Sequence, residues 1–182
     1  MSQIFAQEKI YTEDDYYNLP EDVRAELIDG RIYYQAAPGR QHQTILSELH
    51  IAIGNYLKSK KGSCRVFPAP FAVKLFEDRK NIVEPDISVI CDRSKLTDRG
   101  CTGAPDWIIE VTSPSDPQRD YGIKLFKYRT AGVREYWIVN PQKHTVMVYD
   151  FEKEERSNQY NFCDDVPVCI YEDLILNMDQ LL

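Results

Sequence analysis

The sequence predicts an α/β protein in which a mixed sheet is flanked by helices and an added N-terminal hairpin precedes it. Three observations carry this. An Asp-Gly pair separates two short strand-like runs near the start, and a strongly amphipathic segment follows. Three strand-like runs, a second helical segment and two more strand-like runs then succeed one another. At 182 residues, with 43% hydrophobic and 28% charged residues, the chain has the size and composition of one globular domain over residues 1–182. No internal repeat, low-complexity tract or long linker divides it.

Each element has a local reason. In "YTEDDYYNLP", Thr12 can cap a short helix, Asp15 completes a capping box, and Pro20 closes it. "AELIDGRIYYQAA" reads as a hairpin, because Asp29-Gly30 supplies the residues that a tight type I′ turn needs. Ile45, Leu49, Ala52, Ile53 and Tyr56 recur at helical spacing, which predicts a helix over residues 41–58 with Gly62 just past its end. "RVFPAPFAVKLF", "EPDISVI" and "DWIIEVT" follow as strands. Asp116 as N-cap, Pro117 at the first helical position and Gly132 beyond the end bracket the next helix. "REYWIVN" and "TVMVYDF" make a second hairpin around Asn140-Pro141. The C-terminal region offers one more strand-like run near "VPVCIY" and a short final helix.

Charge and cysteine usage narrow the function classes. A formal net charge of −7 counts against strong non-specific DNA binding. The basic clusters in "LKSKKGSCR" and "QRDYGIKLFKYR" still permit a local basic wall. The opening residues turn acidic where a signal peptide would be apolar, and no run is long enough to span a membrane, so a cytoplasmic location is expected. The five cysteines include no pair two or three residues apart, so they are expected as reduced thiols and not as a zinc site.

The chemistry concentrates in two of the strands. Alternate residues share a strand face, which puts Ile108, Glu110 and Thr112 on one side and Trp107, Ile109 and Val111 on the other. Asp86, Ser88 and Ile90 likewise share a face. If the two strands are neighbours, Asp86 and Glu110 can point at one spot. Asp106 cannot replace Asp86, since four residues of strand separate it from Glu110 by ~13 Å. Converging carboxylates repel unless a cation lies between them or one is protonated. A hard divalent ion such as Mg²⁺ takes carboxylate and carbonyl oxygens and activates water for attack on a phosphodiester.

Pro85-Asp86, followed 24 positions after the aspartate by Glu110-Val111-Thr112, resembles a PD-(D/E)xK nuclease signature. "EPDISVICDRSKL", "GAPDWIIEVTSPS" and "RDYGIKLFKYRTAGVREYWIVNP", with "ELIDGRIYY" and "PGRQHQTIL" upstream, form ordered blocks from Glu26 to Asp150. This series is similar to the Uma-type restriction endonuclease family. The resemblance implies the restriction-endonuclease-like fold, a divalent metal (Mg²⁺ or Mn²⁺) and DNA as substrate. A homodimer is consistent with it, because nucleases of this fold often pair to cut two strands. Asp86, Glu110 and the Val111 carbonyl would hold the metal. Thr112 stands where the superfamily carries its strand lysine. Lys124, on the following helix, is the nearest replacement, and the family similarly carries a lysine in this block. Its expected place is about 60° from Tyr121, bordering the face packed on the sheet.

Each of these residues has a plainer reading. Glu110 could be a strand-end acid paired with a cation, and Asp86 could serve the turn after Pro85. Lys124 could form an exposed pair with Asp120 worth only ~0.3–0.5 kcal/mol. His42 falls near the apolar stripe of its helix, where it could be aimed at the site or sit as a helix-start or core histidine. Glu26 reads as a hairpin acid more than a third ligand, and Glu48 as solvated. Trp107, Trp137 and the tyrosines of "IYY" and "EYW" read as core. The rival to a metal-dependent nuclease is a nuclease-fold binding or assembly module that has lost its lysine and keeps the acids for structure.

Overall fold

A computed structural model describes residues 9–113, 119–153 and 156–182. The first element among the described residues is helix α1 (Glu13–Tyr17), where the Asp15 carboxylate accepts both the backbone N–H (2.9 Å) and the hydroxyl (3.0 Å) of Thr12. Strands β1 (Ala25–Ile28) and β2 (Arg31–Tyr34) form the expected hairpin, with φ of 50° at Asp29 and 76° at Gly30. Only Gly30 fits its place, since a Cβ there would lie 2.5 Å from the Ile10 side chain. Helix α2 (Arg40–Lys60) buries Ile45, Leu46, Leu49, Ile53 and Leu57. It ends at Lys61, which itself takes the left-handed conformation expected nearer Gly62.

The expected single strand over residues 65–76 is two strands. β3 (Arg65–Pro68) and β4 (Val73–Lys74) are separated at the cis Ala69-Pro70 bond and belong to different sheets. β5 (Ile82–Val83), β6 (Ile87–Ile90), β7 (Leu96–Thr97), β8 (Gly100–Thr102) and β9 (Trp107–Val111) follow. A π-helical turn, Asp120–Lys124, runs directly into α3 (Leu125–Ala131), which ends at left-handed Gly132 as expected. The predicted cap at Asp116 and Pro117 lies outside the described residues. β10 (Glu135–Asn140) and β11 (Thr145–Asp150) form the second hairpin, with the Asn140 side chain accepting from the N–H groups of Gln142 and Lys143. β12 (Arg156–Asn161), β13 (Val166–Pro167), β14 (Ile175–Leu176) and α4 (Met178–Leu181) complete the chain.

The main sheet has the order β12-β11-β10-β9-β6-β3 and the second sheet β2-β1-β5-β4-β8-β7. Both are mixed, with β9 parallel to β10 in one and β4 parallel to β8 in the other. β12 was not evident in the sequence because an edge strand reading "RSNQYN" carries no apolar alternation. Tyr34 departs from its expected core role: it is 68% exposed on the edge strand β2.

Burial follows the strand alternation. Trp107, Ile109, Val111, Trp137 and Val139 pack with α2 and the C-terminal segment in one cluster, the two indoles edge to face at 5.1 Å. Ile108, Tyr136 and Ile138 pack on the opposite face with Tyr128 of α3 and with Ile28, Val73 and Val83 of the second sheet. The acid-bearing face of β9 is thus enclosed between the sheets. No helix among the described residues is long and apolar enough to cross a membrane.

One expectation is overturned by strand register. Cys64 and Cys91 form a disulfide, leaving Cys101, Cys163 and Cys169 free. Arg65 pairs with Ile90, so the next positions outward, 64 and 91, face each other across the β3–β6 ladder. Their separation of 27 residues conceals this in the sequence. Thiol titration of the purified, denatured protein without reductant should find three thiols, and five after reduction. Five without reductant would remove the disulfide.

Candidate active site

The site begins with the β6–β9 ladder. These strands are antiparallel, with Ile87 opposite Ile109. One step further along the same register sets Asp86 opposite Glu110, and residues directly opposite in such a pair point to the same face. Asp86 lies just before β6, where its carbonyl accepts the Ala69 N–H at 2.9 Å. Its Oδ2 accepts the Val111 N–H at 2.8 Å and sits 3.1 Å from His42 Nε2, near the start of α2. Both side chains are 15% exposed, so this end of the site meets solvent.

Glu110 lies deeper. Its Oε1 accepts from Lys124 Nζ at 2.9 Å and from the Tyr128 hydroxyl at 2.6 Å. Lys124 Nζ also lies 3.0 Å from Glu26 Oε1 and 3.8 Å from Asp120 Oδ1. Glu26 is fully buried; the same Oε1 accepts the Glu84 N–H at 3.0 Å, while Oε2 has no hydrogen-bond partner. The ammonium therefore sits in a cradle of three carboxylates.

Lys124 occupies the centre of the buried helical face, not its border. Asp120, Lys124 and Tyr128 are 9%, 4% and 0% exposed, whereas Ile123 and Phe126 are 44% and 66% exposed. The π-helical turn explains part of this, because its wider i→i+5 winding changes the angles that an α-helix would give. The cradle explains the rest, since a buried ammonium persists only where partners offset its lost hydration.

Electrostatics couple the cluster. Burial pushes Glu110 well above the usual carboxylate range, while Lys124 pulls the other way. Burial pushes Asp120 up to about 6, again against the pull of Lys124. Burial works against the charge on Lys124, but Glu110, Glu26 and Asp120 outweigh it and hold the ammonium well above the ordinary lysine range. Asp86 also raises Glu110 through its charge. Three carboxylates thus meet one ammonium and Asp86 adds a further acid beside Glu110, an excess that favours protons or a cation.

Asp86, Glu110, Val111 and Lys124 are brought together, and His42 joins them through Asp86. Asp106 stands apart, held by Arg134 at 3.2 Å and by the Cys91 N–H at 2.7 Å. Glu26, read from sequence as a hairpin acid, is a cluster member. A signal for it was available: it shares a strand face with Ile28, which is core. Asp120, Lys124 and Tyr128 at i, i+4 and i+8 were the corresponding helical signal.

The mixed sheets, flanking helices and central acid-bearing strands define the restriction-endonuclease-like class of α/β proteins. The chain belongs to the Uma2 family, described as "Putative restriction endonuclease", whose model matches residues 13–177. It is similar to the crystal structure of "a putative nuclease belonging to DUF820" from Anabaena variabilis, at 27% identity and a TM-score of 0.77 over 93% of this chain and 96% of that one. An uncharacterized protein of Synechocystis sp. is 26% identical over 125 residues, 68% of this chain. The match spans 64% of that relative's length.

Proposed function

We propose that this protein is a divalent-metal-dependent nuclease that hydrolyses phosphodiester bonds in DNA. The observation that carries the reading is the convergence of Asp86 and Glu110 on one sheet face with the Lys124 ammonium 2.9 Å from Glu110. The residues fit a hard cation. Their donors are carboxylate oxygens and a strand carbonyl, they hold excess negative charge, and Glu26 Oε2 is buried without a donor.

Asp86, Glu110 and the Val111 carbonyl would hold Mg²⁺ or Mn²⁺. When bound, the ion supplies Lewis-acid stabilisation of the phosphodiester and a more acidic water. The chain does the positioning. Val111 N–H and His42 fix Asp86, and Tyr128 fixes Glu110. Lys124 orients the attacking water or offsets the charge that develops on the phosphate. Two copies acting together would cut both strands of a duplex, and sedimentation with and without duplex measures that pairing.

A second reading has one observation in its favour. Lys124 already pairs with Glu110 and Glu26, and no group of three His, Cys, Asp or Glu able to hold a metal occurs among the described residues. The fold would then serve as a binding module. Incubation of supercoiled and linear DNA with Mg²⁺ or Mn²⁺ separates the two. Cleavage is expected from the wild type and should fall by about 10³-fold or more in Asp86→Asn and Glu110→Gln. Glu110→Gln keeps an oxygen acceptor for Tyr128 and removes one of the crowded charges, so its metal-free stability should stay within about 1 kcal/mol of wild type. A wild type that cuts no nucleic acid with either metal would replace the nuclease with the module.

A further inference from the structure

A second cationic feature lies away from the carboxylates. Between the C-terminal half of α2 and the edge strand β3 runs an open groove of about 620 Å³. Lys58, Lys61, Arg65, Arg93 and His50 line it, and no acid does. In a chain with 29 acidic and 22 basic residues such segregation needs a reason. Many cations elsewhere are paired with acids: Lys60 with Asp173, Arg24 with Glu84 at 3.2 Å, Arg134 with Glu152 at 2.9 Å. Among the described residues, none of Lys58, Lys61, Arg65 and Arg93 has an acidic partner.

The two arginines are nevertheless positioned. Arg65 Nη1 donates to the carbonyls of Cys64 (2.7 Å) and Gly62 (3.3 Å), and Arg93 Nε donates to Ser63 O at 3.0 Å. Both guanidiniums are therefore anchored on one turn, which the Cys64–Cys91 disulfide ties to the end of β6. The neighbouring Asp92 is turned away, accepting from the Ser94 N–H (2.9 Å) and hydroxyl (2.6 Å). Anchored, unpaired cations without stacking aromatics suit phosphates and not bases. From His42 to Lys58, α2 rises about 24 Å, roughly seven base-pair steps of duplex.

We propose that this groove binds the phosphate backbone of a nucleic-acid duplex at a distance from the scissile position. That the polyanion is a nucleic acid rests on the nuclease reading; the unpaired cationic groove does not. Contact here supplies affinity and register without sequence readout. It also explains how an acidic protein can hold a polyanion, through one local wall.

The test is fluorescence anisotropy of a short labelled duplex in EDTA, so that binding is read without cleavage. The wild type should bind with a steep salt dependence. Lys58→Ala/Lys61→Ala/Arg65→Ala/Arg93→Ala should lower the log–log salt slope by about 3–4 and weaken binding at least tenfold at low salt. Lys58→Glu/Lys61→Glu, which leaves the anchored arginines in place, should weaken it comparably. Unchanged affinity and slope in both variants would overturn the assignment, as would a wild type that binds no duplex. A change in oligomeric state with duplex affinity intact would make the groove a contact between copies, and would also overturn it. A wild type that binds through the groove but never cuts leaves the groove standing and removes the nuclease. Cleavage that depends on Asp86 and Glu110, with duplex binding indifferent to the groove, does the reverse.

Discussion

Lys124→Met should destabilise the metal-free protein by about 3–5 kcal/mol and remove cleavage. Methionine keeps most of the volume, so the loss reports charge more than cavity. At 2.9, 3.0 and 3.8 Å from Glu110, Glu26 and Asp120, the ammonium is the cation that lets these acids share a dry space. A lysine that only bordered the packed face in an exposed pair with Asp120 would have little to hold, and its loss would spare the fold. The loss should depend on pH with a definite sign. A carboxylate raised above its unfolded value favours folding at low pH and loses that contribution as pH rises through its folded value. Asp120, pushed up to about 6 by burial, already does so between about 4 and 6. Without Lys124 the acids rise further, so the variant's deficit should shrink toward pH 5 and widen toward pH 8. Adding Glu110→Gln should recover part of the loss. Urea unfolding in EDTA at several pH values measures all of this. A Lys124→Met protein as stable as wild type at pH 8 would mean that the cradle contributes nothing.

Glu135→Ala should cost about 3–5 kcal/mol, although this acid has no part in the proposed chemistry. Glu135 is fully buried on β10, on the same face as Trp137. Its Oε1 accepts from Trp137 Nε1 at 2.6 Å and from the Cys169 N–H at 2.9 Å, and its Oε2 from the Ile170 N–H at 3.0 Å. Burial raises its pKa while these three donors oppose the shift. Alanine would strand all three N–H groups in the core. It would also release the C-terminal segment, whose Val166, Val168, Leu174 and Leu176 pack in the α2 cluster. Glu135→Gln retains one acceptor oxygen but aims an amide N–H₂ at a donor, so an intermediate loss is expected. Limited proteolysis should open first near residues 163–173 in the alanine variant. Equal stability of wild type and Glu135→Ala would show that the segment is held by its apolar contacts alone.

Sequence alone determined the features whose cause is local. Asp29-Gly30 specifies its turn because both residues must take positive φ. The apolar stripe of α2 and the alternation of β9 follow from the periods of helix and strand, so the face carrying Glu110 was legible before any partner was known. The ordered blocks around Asp86 and Glu110 pointed to the nuclease class through their resemblance to the family, which needs only residue types in chain order. The tertiary structure decided what those faces meet. That Asp86 lies opposite Glu110 depends on the antiparallel register of β6 and β9, and the Cys64–Cys91 pairing depends on that of β3 and β6. The break at residues 69–70 divides one apparent strand between two sheets. Lys124 turns inward, against the pattern that leaves Ile123 and Phe126 exposed, because Glu26 and Glu110 arrive from elsewhere in the chain to receive it. A period tells which residues share a side. The nearest partners of the buried Lys124 charge, Glu110 and Glu26, come from other strands, and no local pattern encodes that meeting.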